Sequence, residues 1–237
     1  MTAKQEESHT PPLSPPTCPV GETDCPIISE VSDLRKDLDN LSKLVRTDTL
    51  TGIANFRYFH QALEQEIERT QRSGQPTSLI MLDIDFFKRV NDQWGHETGN
   101  RALVHLARLL QKTVRKLDIP CRYGGEEFAV ILPDTTLSAC LPVAERIRQG
   151  IERSPLDIEG KPLSMTVSLG IATYTDDIDM SVEELVEQAD HYLYQAKRNG
   201  RNRVCHPDLP ETTIVTSEEK QALSELFGSG VTPKDPS

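Results

Sequence analysis

The stretch that decides the fold is Ser78-Leu79-Ile80-Met81-Leu82-Asp83-Ile84-Asp85. Its first five residues are almost wholly apolar, which is typical of a central strand that is buried in a sheet. Because side chains alternate along a strand, the pattern places Asp83 and Asp85 on the same face at the C-terminal edge. Carboxylates just past a buried strand are costly unless they are solvated, paired or bound to a cation. The stretch therefore predicts a central strand that ends in a polar, chemically useful edge.

Predicted helices and strands alternate on both sides of this strand. Hydrophobic periodicity and turn residues predict helices over Asn55–Arg72, Glu97–Leu117, Leu137–Ile151 and Ser181–Arg198. Further strands are predicted over Pro120–Tyr123, Phe128–Leu132 and Met165–Tyr174. From the central strand onward the order is β-α-β-β-α-β. That order describes an α+β fold with a split, ferredoxin-like sheet and helices on one face.

The two short strands of the predicted hairpin are joined through Gly124-Gly125, and Glu126 and Glu127 follow. Two glycines allow another backbone or a ligand to approach closely. Acids from two neighbouring strands are what a Mg²⁺ site that handles a triphosphate uses, with few protein oxygens and the rest from water and phosphate. Taken singly, Asp83 or Glu126 is more simply explained as capping a turn or pairing with a neighbouring cation.

The overall charge limits the classes of partner. The chain has 237 residues, with 26 Lys+Arg against 37 Asp+Glu and a net charge of −11. An acidic chain is a poor coat for a nucleic-acid polymer, although a local cluster of cations can still hold a nucleotide. Neither a membrane span nor the apolar core of a signal peptide is present in the sequence. The five cysteines are odd in number and widely spread, so a reduced, cytoplasmic protein is expected.

Two segments are predicted before the folded region. Residues 1–26 carry six of the sixteen prolines and almost nothing apolar, so they are expected to be a disordered leader. Residues 27–46 are predicted to be a coiled-coil dimerisation helix, because the apolar spacing alternates between four and three. An amphipathic helix that lies on its own domain is the alternative. The predicted seam consists of Ile27, Val31, Leu34, Leu38, Leu41 and Val45.

Residues 207–237 are predicted to be a polar tail with a short helix. Thr216 and Glu219 have the spacing of a capping box. An apolar stripe then runs to Gly228, which favours docking on the body of the protein or on a partner. The stripe consists of Ala222, Leu223, Leu226 and Phe227.

Four motifs together resemble the GGDEF family, the bacterial diguanylate cyclases of cyclic di-GMP signalling. The run Gly124-Gly125-Glu126-Glu127-Phe128, after Arg122-Tyr123, is similar to the family's signature in its GGEEF variant. The resemblance covers about residues 47–205, so residues 47–206 are expected to form the catalytic domain. The other matching stretches are Asp48-Thr49-Leu50-Thr51-Gly52 with Asn55; Asp83-Ile84-Asp85-Phe86-Phe87-Lys88 with Asn91-Asp92, Gly95-His96 and Gly99; and Tyr194-Gln195-Ala196-Lys197 with Gly200-Arg201-Asn202.

The resemblance implies a sheet like the palm of polymerases and nucleotidyl cyclases, with flanking helices. It also implies the condensation of two GTP into cyclic di-GMP and two pyrophosphates by a homodimer, through its coiled coil and its catalytic domains. By the family pattern, Asp83, the Ile84 carbonyl and Glu126 hold Mg²⁺ or Mn²⁺, two ions per active site. Bound metal lowers the pKa of the attacking 3′-hydroxyl and stabilises charge on the α-phosphate.

The resemblance also implies roles for other side chains. Glu126 is expected to accept the proton, with Glu127 and Lys88 in the same catalytic set. Ordinary solvated surface is the alternative reading of Lys197 and Arg201. The substrate-binding set that the family pattern implies is Phe86, Phe87, Lys88, Asn91, His96, Asn100, Lys197 and Arg201.

Asn100 departs from the family, which usually has Asp there. A carboxylate accepts from both N1–H and N2–H of guanine, whereas an amide accepts only through its oxygen and presents a donor beside it. In a small branch of the family, a change at this position accompanies acceptance of ATP and mixed products. GTP is still expected to be the main substrate, because Asn91 also reads the guanine edge. A lesser departure is Phe56, where the family more often has a basic residue.

A second set of residues precedes the hairpin. Arg115 and Asp118 have the spacing of the family's inhibitory product-binding site, and Arg146 resembles the second arm of that site. Guanidinium binds phosphate or the guanine Hoogsteen edge with two hydrogen bonds, and Asp accepts from N1–H and N2–H. An ordinary ion pair at a helix end between Arg115 and Asp118 is the alternative.

Three functions from different classes remain open at this point. The leading hypothesis is a catalytic cyclase, with or without relaxed base specificity. A non-catalytic cyclic di-GMP receptor would keep Arg115 and Asp118 without turnover. A coiled-coil scaffold with a passenger domain would not need Asp83 and Glu126 together.

Overall fold

The computed structural model describes Ile28 and residues 30–37, 46–177 and 180–209. The predicted leader, most of the predicted seam and the tail beyond residue 209 lie outside these residues. Residues 30–37 are helical, and the Leu34 side chain within them is 55 % exposed in the single chain. The predicted domain boundaries and the predicted coiled coil therefore stay predictions.

A five-stranded mixed sheet with four flanking helices forms the described fold. The helices are α1 (Phe56–Ser73), α2 (Phe87–Thr113), α3 (Leu137–Glu152) and α4 (Val182–Arg198), and the strands are β1 (Thr77–Ile84), β2 (Ile119–Arg122), β3 (Glu127–Leu132), β4 (Leu156–Ile158), β5 (Lys161–Leu163), β6 (Val167–Tyr174) and β7 (Val204–Cys205). The sheet order is β2-β3-β1-β6-β7; β1 is antiparallel to β3 and to β6, and β7 is parallel to β6. The predicted α+β split sheet is confirmed.

Helices cover both faces of the sheet: the two helices inside the β-α-β-β-α-β unit share one face, as predicted, and the two helices outside the unit cover the other. The two helices inside the β-α-β-β-α-β unit, α2 and α3, pack with Ile80 and Leu82 of β1 in one core cluster. The helices α1 and α4 pack with Leu79 and Met81 in the other. All eight residues of β1 are buried as a result. The apolar run of β1 is the physical sign of this double cover, because a strand with one solvated face would alternate.

The ends of the helices follow local capping chemistry. The Asn55 side chain accepts a hydrogen bond from Tyr58 N, and Gly74 ends α1 with a φ of 70°. Ser181 and Glu184 form a capping box at the start of α4. The predicted helix over Glu97–Leu117 starts ten residues earlier, at Phe87, because a kink at Gly95 (φ 83°) joins two helical segments.

Close packing of α4 on β6 sets the height of the helix over the sheet. A Cβ on Gly170 would overlap the backbone of Ala189 and of Leu193. Only glycine allows α4 to approach β6 so closely. Lys197, in the last turn of α4, therefore lies over the edge of β1. No helix of the described residues is both long and apolar enough to cross a membrane.

Candidate active site

The acidic end of β1 meets the hairpin tip across the ladder. Asp83 lies directly opposite Glu127 in the antiparallel register of β1 and β3. Asp83 Oδ2 accepts a hydrogen bond from Lys197 Nζ at 2.9 Å, and the Asp83 side chain is 8 % exposed. Asp83 therefore forms an ion pair with Lys197, which is one of the two structural roles considered for it above. The pair is largely shielded from water.

Three carboxyl groups at this edge have pKa values above their ordinary range. Burial is the largest cause for Asp83, Glu126 and Glu127. The charge of Asp83 further raises the pKa of both glutamates, and the Lys197 charge lowers all three. Lys197 is the common positive charge near these three crowded acids, and Arg201 adds to it at Asp83. This imbalance is eased by any cation that binds there.

Asp85, predicted to lie on the same face as Asp83, has a different environment. Asp85 lies one residue beyond β1, and its carboxylate accepts from Thr166 Oγ1 and Ser168 Oγ at 2.7 Å each. It also accepts from the backbone N–H of Asn202 at 3.0 Å. These bonds tie the loop after α4 to the end of β1. Asp85 is therefore an anchor for the loop that carries Arg201.

The hairpin tip is held by an arginine. Arg122 donates through Nη2 to the Gly125 carbonyl at 2.8 Å and through Nε to the Gly124 carbonyl at 3.2 Å. Its Nη1 contacts both carboxylate oxygens of Asp48, at 3.1 and 3.2 Å. Burial alone would raise the pKa of Asp48, but hydrogen bonds from Thr51 and Arg122 outweigh it and lower the pKa. Through these contacts Arg122 joins Asp48, near the start of the folded domain, to the hairpin tip that carries Glu126.

Gly124 matters at the tip because of the neighbouring side chain. A Cβ on Gly124 would lie 2.6 Å from Glu127 Oε2. The Glu127 carboxylate therefore folds back over the first glycine of the turn, on the strand that faces Asp83. Any larger residue there would displace it.

The predicted phosphate-binding residues surround the start of α2. Phe86 has a left-handed backbone (φ 57°) and caps α2 without a side-chain hydrogen bond. The Phe87 side chain is buried in the core, whereas Lys88 is exposed. Arg201 also has a positive φ, of 63°, and its charge reaches Asp83. The structure thus brings Lys197 and Arg201 to the acidic edge, rather than leaving them on remote surface.

The predicted base-reading residues lie along the first turns of α2. A Cβ on Gly99 would overlap Asn91 Oδ1, so the Asn91 amide lies against the helix next to Asn100. Asn100 and His96 are both exposed. Asn100 also lines an open cavity of about 400 Å³, together with Leu50 and Leu156. Neither Asn91 nor His96 lines that cavity, so it is not evidence for a base pocket.

The three residues of the predicted product site come together at the end of α2. Asp118 Oδ2 accepts from the backbone N–H of Arg115 at 2.7 Å, and the residue is 8 % exposed. Burial raises the pKa of Asp118, against the lowering effect of Arg115 and Arg146. Arg146 Nη2 donates to the Thr113 carbonyl at 3.0 Å. The contact of Arg115 with Asp118 runs through its backbone, which leaves its exposed guanidinium available to a ligand.

Several contacts that shape the site join residues far apart in the sequence, and no local pattern predicts them. The Arg122–Asp48 pair spans 74 residues of sequence, and the Asp85–Asn202 bond spans 117. Arg148 of α3 also donates to the Asn202 side chain at 2.7 Å. The motifs included Asp48, Arg122 and Asn202, but only the folded chain shows what they bind.

Comparison with known proteins places this geometry in a family. A sequence model described as "Diguanylate cyclase, GGDEF domain" matches residues 45–203. The response regulator PleD of Caulobacter vibrioides is 44 % identical over 173 residues, which cover 72 % of this chain and 38 % of PleD. Diguanylate cyclase A of Treponema denticola is 39 % identical over 184 residues, which cover 75 % of this chain and 49 % of that protein. The chain thus spans less than half the length of these two relatives.

Solved structures show the same architecture. The coiled coil and GGDEF domain of DgcB from Caulobacter crescentus, in complex with c-di-GMP, superimposes with a TM-score of 0.70 at 33 % identity. That match covers 76 % of this chain and 94 % of the DgcB chain. Diguanylate cyclase SiaD of Pseudomonas aeruginosa, in complex with its activator SiaC, has a TM-score of 0.69 at 38 % identity. Its match covers 76 % of this chain and 69 % of the SiaD chain.

Proposed function

Because this chain belongs to the GGDEF family of diguanylate cyclase domains, we propose that it condenses two GTP into cyclic di-GMP and two pyrophosphates. The observation that carries the proposal is the acidic edge itself. Asp83 faces Glu127 across the ladder, and its charge raises the pKa of Glu126 as well. Lys197 and Arg201 supply positive charge at the same edge. Such a combination suits a metal-bound triphosphate better than it suits a purely structural role.

The residues present fit a divalent cation. Within the described part of the chain, no group of three or more His, Cys, Asp or Glu side chains could hold a metal by itself. A site built on Asp83, the Ile84 carbonyl and Glu126 therefore needs oxygens from water and phosphate, which is how Mg²⁺ binds in nucleotide sites. When bound, Mg²⁺ or Mn²⁺, two per site, would acidify the 3′-hydroxyl and stabilise charge on the α-phosphate.

The side chains divide the remaining tasks. Glu126 accepts the proton of the 3′-hydroxyl as the general base. Glu127 lies opposite Asp83 and would support the bound metals and phosphates. Lys88, Lys197 and Arg201, with the backbone amides of Phe86 and Phe87, bind the triphosphate. Asn91, His96 and Asn100 surround the base.

Ring closure requires two GTP presented head to head, and one domain binds one of them. The active form is therefore a homodimer, assembled through the coiled coil of residues 27–46 and the catalytic domains. The exposed Leu34 in the described helical segment is consistent with a partner helix there. Formation of the product from two half-sites makes the rate depend on dimer concentration.

Turnover itself is the test of this function. We expect the purified chain, incubated with GTP and Mg²⁺, to yield cyclic di-GMP and pyrophosphate, identified by mass. A protein that binds cyclic di-GMP but forms none from GTP is a receptor, and one that does neither is a scaffold. Either outcome contradicts the proposal.

Product inhibition is proposed at Arg115, Asp118 and Arg146. Arg115→Ala removes an exposed guanidinium that can make two charged hydrogen bonds to the product. We expect cyclic di-GMP affinity to fall roughly ten- to a hundredfold, measured by calorimetry, and inhibition to be relieved. The control is Lys116→Ala, which removes the neighbouring exposed cation. Equal product affinity in the two variants would place the inhibitory site elsewhere.

A relaxed base specificity is proposed from Asn100, an exposed residue on the same helix as Asn91 that presents one acceptor and one donor. With GTP and ATP together, we expect mostly cyclic di-GMP and a detectable fraction of the mixed cyclic GMP–AMP. Asn100→Asp should suppress that fraction and lower the KM for GTP.

Gln93→Glu serves as the control for added charge, because Gln93 is an exposed residue on the same helix. Product ratios are read by mass spectrometry. Wild type without mixed product, together with an unchanged KM for GTP in Asn100→Asp, shows that residue 100 does not read the base.

A further inference from the structure

One aromatic ring at the start of α2 is shared by two guanidinium groups. Arg89 Cζ lies 4.5 Å from the centre of the Phe86 ring, and Arg201 Cζ lies 4.4 Å from it. Both distances are well inside the range of cation–π attraction. Phe86 as a residue is 47 % exposed, so it is not retained there as part of the core.

Neither of the two guanidinium groups is neutralised by a direct ion pair. Neither Arg89 nor Arg201 has a carboxylate within ion-pair distance among the described residues. Because both guanidinium groups lie close to the same ring, they also lie near each other. Like charges at such a separation repel. A ring that holds two unpaired cations together is suited to an anion with more than one charge.

The backbone under this arrangement is held in uncommon conformations. Phe86 and Arg201 have positive φ values of 57° and 63° without being glycines. Such residues cost free energy and persist where surrounding contacts enforce them, most often at functional sites. Here Asn202 supplies those contacts: its N–H is bound by Asp85, and its side chain is bound by Arg148.

Arg148 makes this anchor rigid. Its side chain is 14 % exposed and contacts Glu145 at 2.6 Å and Glu152 at 2.9 Å in addition to Asn202. Asn202 Nδ2 also donates to Glu152 at 2.7 Å. The loop that carries Arg201 is therefore fixed from α3 and from the end of β1. The guanidinium of Arg201 is placed over Phe86 before any substrate arrives.

We propose that Phe86 is a positioning residue whose ring holds Arg89 and Arg201 together, and that Arg89 is a second phosphate-binding arginine for the outer phosphates of the triphosphate. The inference rests on the proposed function, because it assigns the substrate contact of that same site. It adds Arg89, which no motif singled out, and gives the Phe86 side chain a role separate from its backbone amide.

Three variants and one control test the inference in the full chain. We expect Arg89→Gln and Phe86→Leu each to raise the KM for GTP roughly ten- to a hundredfold, since each loses charged contacts to phosphate. Phe86→Trp keeps an aromatic face and should recover most of the affinity. Lys112→Gln removes one exposed charge from the last turn of the same helix and should leave KM unchanged.

Binding of a GTP analogue with a methylene bridge between the α- and β-phosphates separates this inference from the proposed function. Arg89→Gln should weaken the analogue and leave GMP affinity unchanged, because only the outer phosphates are contacted. If wild type forms no cyclic product, the cyclase proposal fails while this measurement still decides the role of Arg89. Analogue affinity in Arg89→Gln and Phe86→Leu equal to that of Lys112→Gln overturns the inference.

Discussion

Asp83→Asn is expected to lower the rate of cyclic di-GMP formation by roughly a thousandfold or more, since loss of a metal-holding carboxylate removes several kcal/mol of stabilisation from the transition state. The chain should stay folded. Burial raises the pKa of Asp83, which means that its ionised form is held at a cost in the folded state. Asn has nearly the same shape and does not carry that cost.

The control for this variant is Asp134→Asn, which removes a half-exposed carboxylate distant from the hairpin tip. Rates at saturating GTP and the free energy of unfolding are measured for both.

The cost of the buried Asp83 charge also makes the free energy of unfolding depend on pH. A carboxyl whose folded pKa lies above its unfolded pKa makes the protein less stable as pH rises between the two values. Wild type should show this loss, and Asp83→Asn should show less of it.

The rate of product formation should rise as pH rises over this range, whereas stability falls. The carboxyls of Asp83, Glu126 and Glu127 must be ionised to hold a cation or accept a proton, and all three have raised pKa values. The kcat/KM for GTP, which reports the free enzyme, should therefore fall, as pH is lowered, at a higher pH than ordinary carboxyl groups would give. Substantial product from Asp83→Asn would contradict the assignment of the acidic edge.

Arg122→Ala is expected to lower kcat by about a hundredfold, the scale on which a misplacement of about 1 Å acts. The variant removes the contacts that hold the Gly124 and Gly125 carbonyls, and the hairpin tip carries Glu126. It also leaves the Asp48 carboxylate without its cation. Loss of this partly buried, charged pair should reduce the free energy of unfolding by about 1.5–3 kcal/mol.

Arg69→Ala is the matched control, because Arg69 makes longer, exposed contacts with Glu66 and Asp134. We expect a change in the free energy of unfolding of less than about 1 kcal/mol and an unaltered rate. Combining Arg122→Ala with Asp48→Asn should cost less than the sum of the two single changes, since they share one contact. An unchanged kcat, with unchanged hydrogen exchange at the hairpin tip, would show that Arg122 does not position it.

Local physical chemistry made the main elements of this fold predictable. The apolar run before Asp83 predicted a central strand, and Asn55, Ser181 and Asn199-Gly200 mark helix ends that the structure has within one or two residues. The strands β4 and β5 were missed because three-residue strands carry no period of two. The start of α2 was misplaced because Gly95 interrupts the apolar pattern without ending the helix.

The contacts that shape the site were decided only by the tertiary structure. The sequence alone determined which acids end β1, where the glycines of the turn lie and that cations follow near residue 200. It did not determine that Glu127 faces Asp83, that Arg122 binds Asp48 or that Arg89 and Arg201 share the Phe86 ring. Strand register and side-chain pairing depend on long-range packing. Helix caps and burial patterns depend on residues that are close in sequence, so they can be predicted from it. The pairings at the site form only when the common core brings distant segments of the chain together.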